Sequence, residues 1–161
     1  MIYKIKKGNH YSLHLPKLHL GKTNLKVKFR FLDGCWFPLK VKDDYAVNKL
    51  CGWSYGWHHK NSIRCGWTPN KEQDKIDLFF YIYSNGERHI HSFCTIDIRT
   101  EYSLEIDLII NLLSFSIRSD SSPSTILSYY YEKPKSKLGY MLFPYIGGNL
   151  PAHTDTKISI E

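Results

Sequence analysis

Hydrophobic and polar residues alternate along most of this chain, and a period of two predicts β-strands. In Leu25–Phe31, the clearest case, four apolar side chains would face a core, and the basic side chains between them would face water. Together with the turn residues between segments, the pattern predicts about ten short strands. Besides this segment, the predicted strands are Ile2–Lys6, Val47–Gly52, Ser62–Thr68, Ile76–Tyr83, Arg88–Ile98, Leu104–Ile110, Leu113–Arg118, Ile126–Tyr131, Tyr140–Tyr145 and Lys157–Ile160.

The segments between these strands carry turn or edge signals. His10–Leu20 contains Pro16, which cannot donate to a strand ladder, so this segment is predicted as a loop or an edge. Asn85–Gly86 predicts a tight hairpin turn. Glu101–Leu113 fits one short helix about as well as two strands. No interior boundary divides the chain, so the prediction is all-β: one antiparallel β-sandwich domain spanning residues 1–161, with at most one short helix.

Composition supports strands over helices. Aromatic residues make up 15% of the 161 residues, and aromatic side chains favour strands. Alanine, the best helix former, occurs only at Ala46 and Ala152. The four cysteines form no C-x-x-C pair, so they are predicted to be thiols rather than zinc ligands. Cys51 and Cys65 each begin a Cys-Gly-Trp triplet, and these triplets are predicted to face each other across a hairpin.

The formal net charge of +7 favours an anionic partner such as an acidic glycan, a nucleotide or a nucleic acid, although the same charge also serves solubility. No window approaches the roughly 18 apolar residues of a membrane span, and the N-terminus lacks the pattern of a signal peptide. These observations predict a cytoplasmic protein with no membrane partner. They leave a virion-associated location open, and they do not fix the oligomeric state, so a homo-oligomer also stays open.

The stretch from position 50 to position 67 concentrates residues that bind ligands. Aromatic rings could stack on a sugar or a base, while histidine, lysine and arginine supply hydrogen bonds or bind a phosphate. Alternatively, the tryptophans are core residues and the polar run is only a hairpin loop. A metal is not expected, because adjacent histidines on a strand point to opposite sides, and no cofactor is predicted. The predicted ligand-binding residues are Trp53, Tyr55, Trp57, His58, His59, Lys60, Asn61 and Arg64.

Catalytic signatures are absent from the sequence. His89 and His91 share a strand face and could act as an acid/base pair, although such histidines are usually surface residues. A glycosidase needs two convergent carboxylates, and spacing alone selects no pair, although Asp97, Glu105 and Asp107 could converge. The catalytic residues stay unknown at this stage, and a non-enzymatic role is favoured.

The C-terminal segment GYMLFPYIGGNLPAHTDTKISIE, with HHKNSIRCGW and the aromatic strand IDLFFYIY, resembles the terminal strands of concanavalin-A-like (jelly-roll) β-sandwiches. These include small lectin-like and lyase-like proteins of bacteria and their phages. The resemblance covers about half the chain and implies a jelly-roll fold and glycan recognition. The calcium ligands of typical legume lectins have no counterpart here.

Three functions follow. The leading hypothesis is a non-catalytic module that binds a glycan or a similar polar ligand through the aromatic and histidine loop. The second is a binder or degrader of an anionic nucleotide or nucleic acid. It would use the basic strand Lys26–Arg30 together with His58, His59, Lys60 and Arg64. The third is a structural protein of a virion, in which exposed aromatic residues form subunit contacts.

Overall fold

Two antiparallel β-sheets packed face to face form the structure, a computed structural model that describes residues 1–40 and 46–161. Within these residues the chain forms twelve strands and no helix. The strands are β1 Ile2–Ile5, β2 Leu18–Leu20, β3 Asn24–Phe31, β4 Asn48–Ser54, β5 Ser62–Pro69, β6 Lys75–Ser84, β7 Glu87–Asp97, β8 Tyr102–Ile109, β9 Leu112–Ser119, β10 Ser122–Tyr130, β11 Leu138–Leu142 and β12 Thr156–Ile160.

Each sheet has six strands. The order in the first sheet is β1-β12-β3-β8-β9-β10, and the order in the second is β2-β11-β4-β5-β6-β7. The core lies between the sheets and is rich in aromatic rings. The ring centroids of Phe80 in the second sheet and Phe115 in the first are 3.8 Å apart, and those of Phe31 and Trp67 are 5.0 Å apart. Burying such large apolar side chains is the main force that holds the sheets together.

The predicted fold class, an all-β antiparallel sandwich, is confirmed, with twelve strands instead of about ten. One addition is β2, which forms the edge of the second sheet within the segment predicted as a loop or an edge. The helix alternative for Glu101–Leu113 is wrong. That segment is the hairpin of β8 and β9, and Ile110 at its turn has a φ of 58°, which a helix does not allow.

Alternation along the second sheet separates a core face from an outer face. In β6, Ile76, Leu78, Phe80 and Ile82 are fully buried in the core, so Tyr81 between them faces outward. The neighbouring strand β5 follows the same rule, since Arg64 pairs with Tyr81 and Cys65 pairs with Phe80. Cys51 also pairs with Cys65, which confirms that the strands carrying the two triplets face each other; the triplets meet only at these cysteines, because Trp53 pairs with Ile63 and Trp67 with Asn48. All four cysteines are free thiols.

A glycine allows β11 to pass close to the end of β4. A Cβ atom on Gly139 would lie 1.9 Å from the carbonyl oxygen of Ser54 and 2.8 Å from the His19 ring. We expect Gly139→Ala to lower the free energy of unfolding in urea by about 3 kcal/mol, because an added methyl group in a filled site forces the backbone to move. Gly21→Ala is the control. No atom lies within 4 Å of that Cβ position, and φ is +63°, so the left-handed backbone alone should cost about 1 kcal/mol. Equal losses in the two variants would contradict the close contact.

Candidate active site in the cleft of the second sheet

A cleft of about 800 Å³ lies on the outer face of the second sheet. Its floor comes from outward-facing positions of β4, β5, β6 and β11, and its walls come from β2 and from the segments 11–16, 57–59 and 143–145. Most of its lining is aromatic or aliphatic, while the polar lining is lysine, arginine, histidine and tyrosine. No aspartate or glutamate among the described residues lines this cleft. The cleft is therefore suited to a ligand that carries negative charge.

Arg64 lies in the floor with only 6% of its surface exposed. Its guanidinium group stacks on two rings, with Cζ 5.0 Å from the centroid of Tyr81 and 5.7 Å from that of Tyr83. Its Nε and Nη2 groups have no hydrogen-bond partner among the described residues. Burial lowers the pKa of Arg64, while the neighbouring tyrosines act in the opposite direction, and an arginine keeps its charge at neutral pH. A buried cation with two donor groups that make no hydrogen bond lowers the stability of the fold unless an acidic group binds it.

Lys49 is the second buried cation of the floor. A bulge between Lys49 and Cys51 shifts the register of β4 and β5, and Lys49 pairs with Gly66 on the outer face. The Nζ atom donates a hydrogen bond to the carbonyl oxygen of Val47 at 2.7 Å and lies 4.4 Å from the ring centroid of Tyr81. Burial, followed by repulsion from Arg64 and Arg88, lowers the pKa of Lys49 to about 7. Its charge therefore changes within the physiological pH range.

A histidine and a tyrosine form the third polar feature of the cleft. The Nδ1 atom of His58 and the hydroxyl of Tyr140 are 2.5 Å apart, although the two residues are 82 positions apart in the sequence. Burial first, and then the charges of Arg64, His59 and Lys49, lower the pKa of His58 to about 4. The imidazole is therefore neutral at pH 7. With its proton on Nε2, Nδ1 accepts the hydrogen bond that the Tyr140 hydroxyl donates.

Backbone hydrogen bonds fix the loop that carries His58. The amides of Lys60 and Asn61 donate to the carbonyl oxygen of Trp57 at 2.9 and 3.1 Å. The side-chain oxygen of Asn61 accepts from the amide of Asn85, and Gly86 donates to the carbonyl oxygen of Lys60, so the β6–β7 turn supports this loop. A loop held in this way presents its side chains at defined positions.

The predicted ligand-binding residues separate into two groups. Trp57, His58, His59 and Arg64 line the cleft together. The other four do not line it. Trp53 and Tyr55 are buried in the core at 0% and 1% exposure, Asn61 is buried beneath the loop, and Lys60 is exposed outside the cleft. Tyr55 donates its hydroxyl hydrogen bond to the backbone carbonyl of Lys22, which is a structural role.

Three residues that line the cleft, Lys49, Tyr81 and Tyr140, were not among the predicted ligand-binding residues. The alternation of β6 places Tyr81 on the outer face, but the cations that contact its ring, Lys49 and Arg64, belong to β4 and β5. Lys49 faces the cleft because of a β-bulge between Lys49 and Cys51, which the alternation of apolar and polar residues did not predict. Tyr140 reaches His58 because β11 lies next to β4 in the second sheet, although the two strands are distant in sequence.

The other predicted catalytic groups lie away from the cleft. His89 and His91 on β7 contact the ring of Tyr129 on β10, with centroids 5.8 and 5.0 Å apart. Glu105 belongs to the first sheet and pairs with Lys26 at 3.4 Å. In the described part of the chain, no group of three or more histidine, cysteine, aspartate or glutamate residues is placed to hold a metal ion. No helix among the described residues could cross a membrane.

Several solved structures have a fold similar to that of this chain. No protein-family model and no curated protein matches this chain. Among solved structures, the alginate lyase from Klebsiella pneumoniae is similar with a TM-score of 0.68 and 10% identity, covering 85% of this chain and 56% of that one. An exolytic alginate lyase from Zobellia galactanivorans has a TM-score of 0.63 and 9% identity, with 99% and 83% covered. A putative β-glucanase from Mycobacterium abscessus has a TM-score of 0.58 and 10% identity, with 99% and 72% covered.

These likenesses confirm the concanavalin-like jelly-roll sandwich that the sequence resemblance implied. This chain spans little more than half of the Klebsiella enzyme. The prediction of a non-catalytic binding module is wrong, because these similar chains are named as two lyases and a putative glucanase. The nucleotide and virion-assembly alternatives gain no support from them. At 9–10% identity the likeness establishes the fold, and the chemistry has to come from the residues of the cleft.

Proposed function

We propose that this protein is a carbohydrate-active enzyme that cleaves an acidic polysaccharide by β-elimination in the cleft of the second sheet. The observation that carries the proposal is the buried, unpaired guanidinium of Arg64 in the same cleft as the neutral His58–Tyr140 pair. The first feature binds a carboxylate, and the second moves a proton. Elimination next to a carboxylate needs both.

Arg64 is the proposed receptor for the carboxylate of a uronate sugar. Arg64 lines the cleft, and a guanidinium group can donate two parallel hydrogen bonds to the two oxygens of one carboxylate. Binding of a cation to the carboxylate also makes the hydrogen on the adjacent carbon easier to remove, because negative charge develops on that carboxylate in the transition state. Lys49 Nζ and Arg64 Cζ both lie against the ring of Tyr81, so a protonated Lys49 adds a second positive charge to the cleft.

Tyr140 and His58 are the proposed acid/base pair. Nδ1 of His58 takes the hydroxyl proton of Tyr140 as the Tyr140 oxygen accepts the proton from the carbon next to the carboxylate. A carbon–carbon double bond forms as the bond to the glycosidic oxygen breaks, Tyr140 passes the accepted proton to the departing oxygen, and His58 returns the hydroxyl proton to Tyr140. No water enters the products. Hydrolysis by two carboxylates fits this cleft poorly, because no described aspartate or glutamate lines it.

Aromatic walls suit the apolar faces of sugar rings. Trp57 is 64% exposed and Tyr145 is 40% exposed, and both line the cleft. Exposed rings of this size bind the flat face of a sugar, while the cations fix its acidic edge. A glycan is therefore the proposed partner.

The single-domain organisation of residues 1–161 belongs to the same proposal, and the cytoplasmic and virion-associated locations stay predictions.

The test is an elimination assay on purified protein with alginate, polygalacturonate, hyaluronan and a neutral β-glucan. Elimination creates an unsaturated uronate that absorbs ultraviolet light, whereas hydrolysis creates a reducing end without this absorbance. We expect ultraviolet-absorbing products from at least one acidic polymer and none from the glucan. Reducing ends without absorbance would identify a hydrolase and contradict the proposal, as would the absence of cleavage of every acidic polymer.

The pH dependence follows from two shifted groups. Elimination needs neutral His58, so we expect kcat/KM to increase as pH rises through about 4, where His58 loses its proton. Lys49 loses its positive charge as pH rises through about 7, so KM for the anionic polymer should increase there. The charged or titratable groups near Lys49 are Arg64, Arg88, His58 and His59, and those near His58 are Arg64, His59 and Lys49. A rate that still increases between pH 6 and 7, with the profile of an ordinary histidine, would contradict the assignment of His58.

A further inference from the structure

The amine of Lys49 is fixed at the floor of the cleft. The backbone amide of Lys49 donates to the carbonyl oxygen of Tyr145 at 2.8 Å, and its carbonyl oxygen accepts from the amide of Tyr145 at 3.0 Å. The Nζ atom is held by the carbonyl oxygen of Val47 at 2.7 Å. Only 9% of the residue is exposed, and it lines the cleft. This amine therefore differs from the freely moving lysines of the protein surface.

Its surroundings favour the neutral form. The charged and titratable groups around Lys49 are Arg64, Arg88, His58 and His59, with the rings of Tyr81 and Tyr145. No described carboxylate lines the cleft to stabilise an ammonium. The Tyr81 ring attracts an ammonium, but burial and the two guanidinium groups outweigh it, and the pKa of Lys49 falls to about 7. A desolvated lysine beside another cation is a nucleophile at neutral pH.

An anion receptor lies beside this amine. Lys49 Nζ and Arg64 Cζ both contact the ring of Tyr81, at 4.4 and 5.0 Å from its centroid. Arg64 and Lys49 line the same cleft, so the guanidinium group can bind the acid group of a ligand there. A small molecule whose acid group binds Arg64 would thus bring a neighbouring carbonyl carbon to Lys49.

We propose that Lys49 forms a reversible imine with small anionic aldehydes, which Arg64 binds through their acid group. The nitrogen lone pair adds to the carbonyl carbon, and a nitrogen–carbon double bond replaces the carbon–oxygen bond. The amine loses two protons, and the carbonyl oxygen leaves with them as water. The His58–Tyr140 pair in the same cleft can transfer these protons. This reactivity does not depend on the proposed elimination.

The probe is glyoxylate, which carries a carboxylate and an aldehyde, with sodium cyanoborohydride to reduce the imine to a stable amine. Peptide mass spectrometry then locates the added carboxymethyl groups. At pH 7 an ordinary lysine is neutral in roughly one molecule in a thousand, so Lys49 should be labelled about a hundredfold faster than the exposed Lys135. Labelling of Lys49 should increase through about pH 7 and then level.

Three variants separate the parts of the proposal. Lys49→Arg should abolish the fast label, and Lys135→Arg should leave it unchanged. Arg64→Met should remove the preference for glyoxylate over the neutral propionaldehyde. Labelling spread evenly over surface lysines, or fast labelling that persists in Lys49→Arg, would overturn the proposal. If circular dichroism shows that Lys49→Arg does not fold, the labelling of Lys49 in the unaltered protein is the test. A midpoint of its labelling rate near pH 7 supports the proposal, and the absence of such a midpoint overturns it. The ultraviolet assay for elimination is a separate readout, so each proposal can fail alone.

Discussion

Replacing Tyr140 with phenylalanine should lower kcat for elimination by about a thousandfold, the middle of the range for loss of a general acid/base. The variant removes one hydroxyl and keeps the ring that packs against His58. Binding of an acidic oligosaccharide, measured by calorimetry, should change by no more than about threefold, because Arg64 and Lys49 remain in place. The measurement is the initial rate of ultraviolet-absorbing product at saturating polymer.

Tyr130→Phe is the matched control for that variant. Tyr130 ends β10 in the other sheet and is 67% exposed, so its hydroxyl contributes nothing to the cleft and its loss should not change kcat. If Tyr140→Phe keeps more than about a tenth of the rate, another group moves the proton, and the assignment of the His58–Tyr140 pair is wrong.

Arg64→Met should have opposite effects on activity and stability. We expect kcat/KM on the acidic polymer to fall by about a thousandfold, since the guanidinium group proposed to bind the carboxylate is removed. The free energy of unfolding should rise by about 1–3 kcal/mol, because methionine fills similar space without a buried, unpaired charge. Activity is measured by the ultraviolet assay, and stability by urea denaturation without ligand.

Arg118→Met on β9 provides the comparison for this effect. That residue is exposed on the other sheet, so both activity and stability should stay close to those of the parent protein. A marked loss of stability in Arg64→Met would mean that the guanidinium supports the fold through its contacts with Tyr81 and Tyr83, and would argue against a receptor kept for a ligand.

Local alternation was enough to predict most of the architecture. The predicted segment Ile76–Tyr83 lies within β6 Lys75–Ser84. It could be predicted because every second residue from Ile76 to Ile82 is apolar, and these residues are fully buried in the structure. The choice between one helix and two strands for Glu101–Leu113 could not be made from periodicity. It depended on the left-handed backbone of Ile110 and on pairing with β3, which is a tertiary contact.

The site was only partly predictable, because a cleft on a sheet draws on strands that are distant in the sequence. Treating the whole aromatic stretch as one loop grouped Trp53 with Trp57. Strand alternation places Trp53 in the core, and within the stretch from 50 to 67 the residues that line the cleft begin at Trp57. Tyr140 needed the position of β11 in the sheet order, and Lys49 needed a bulge. Neither feature leaves a pattern in neighbouring residues.

The pairing of β1 with β12 has a consequence for the rate of folding. The terminal ammonium of Met1 donates to the carbonyl oxygen of Ile160 at 2.8 Å across 159 positions of sequence, and β12 joins β1 to β3. Neighbouring strands such as β5, β6 and β7 close short loops, whereas this pairing joins residues 159 positions apart. The loss of chain entropy on closing such distant contacts slows folding toward milliseconds to seconds. The edge of β3 that pairs with β12 therefore stays unpaired until late in folding. During that interval, this edge can pair with a strand of another molecule.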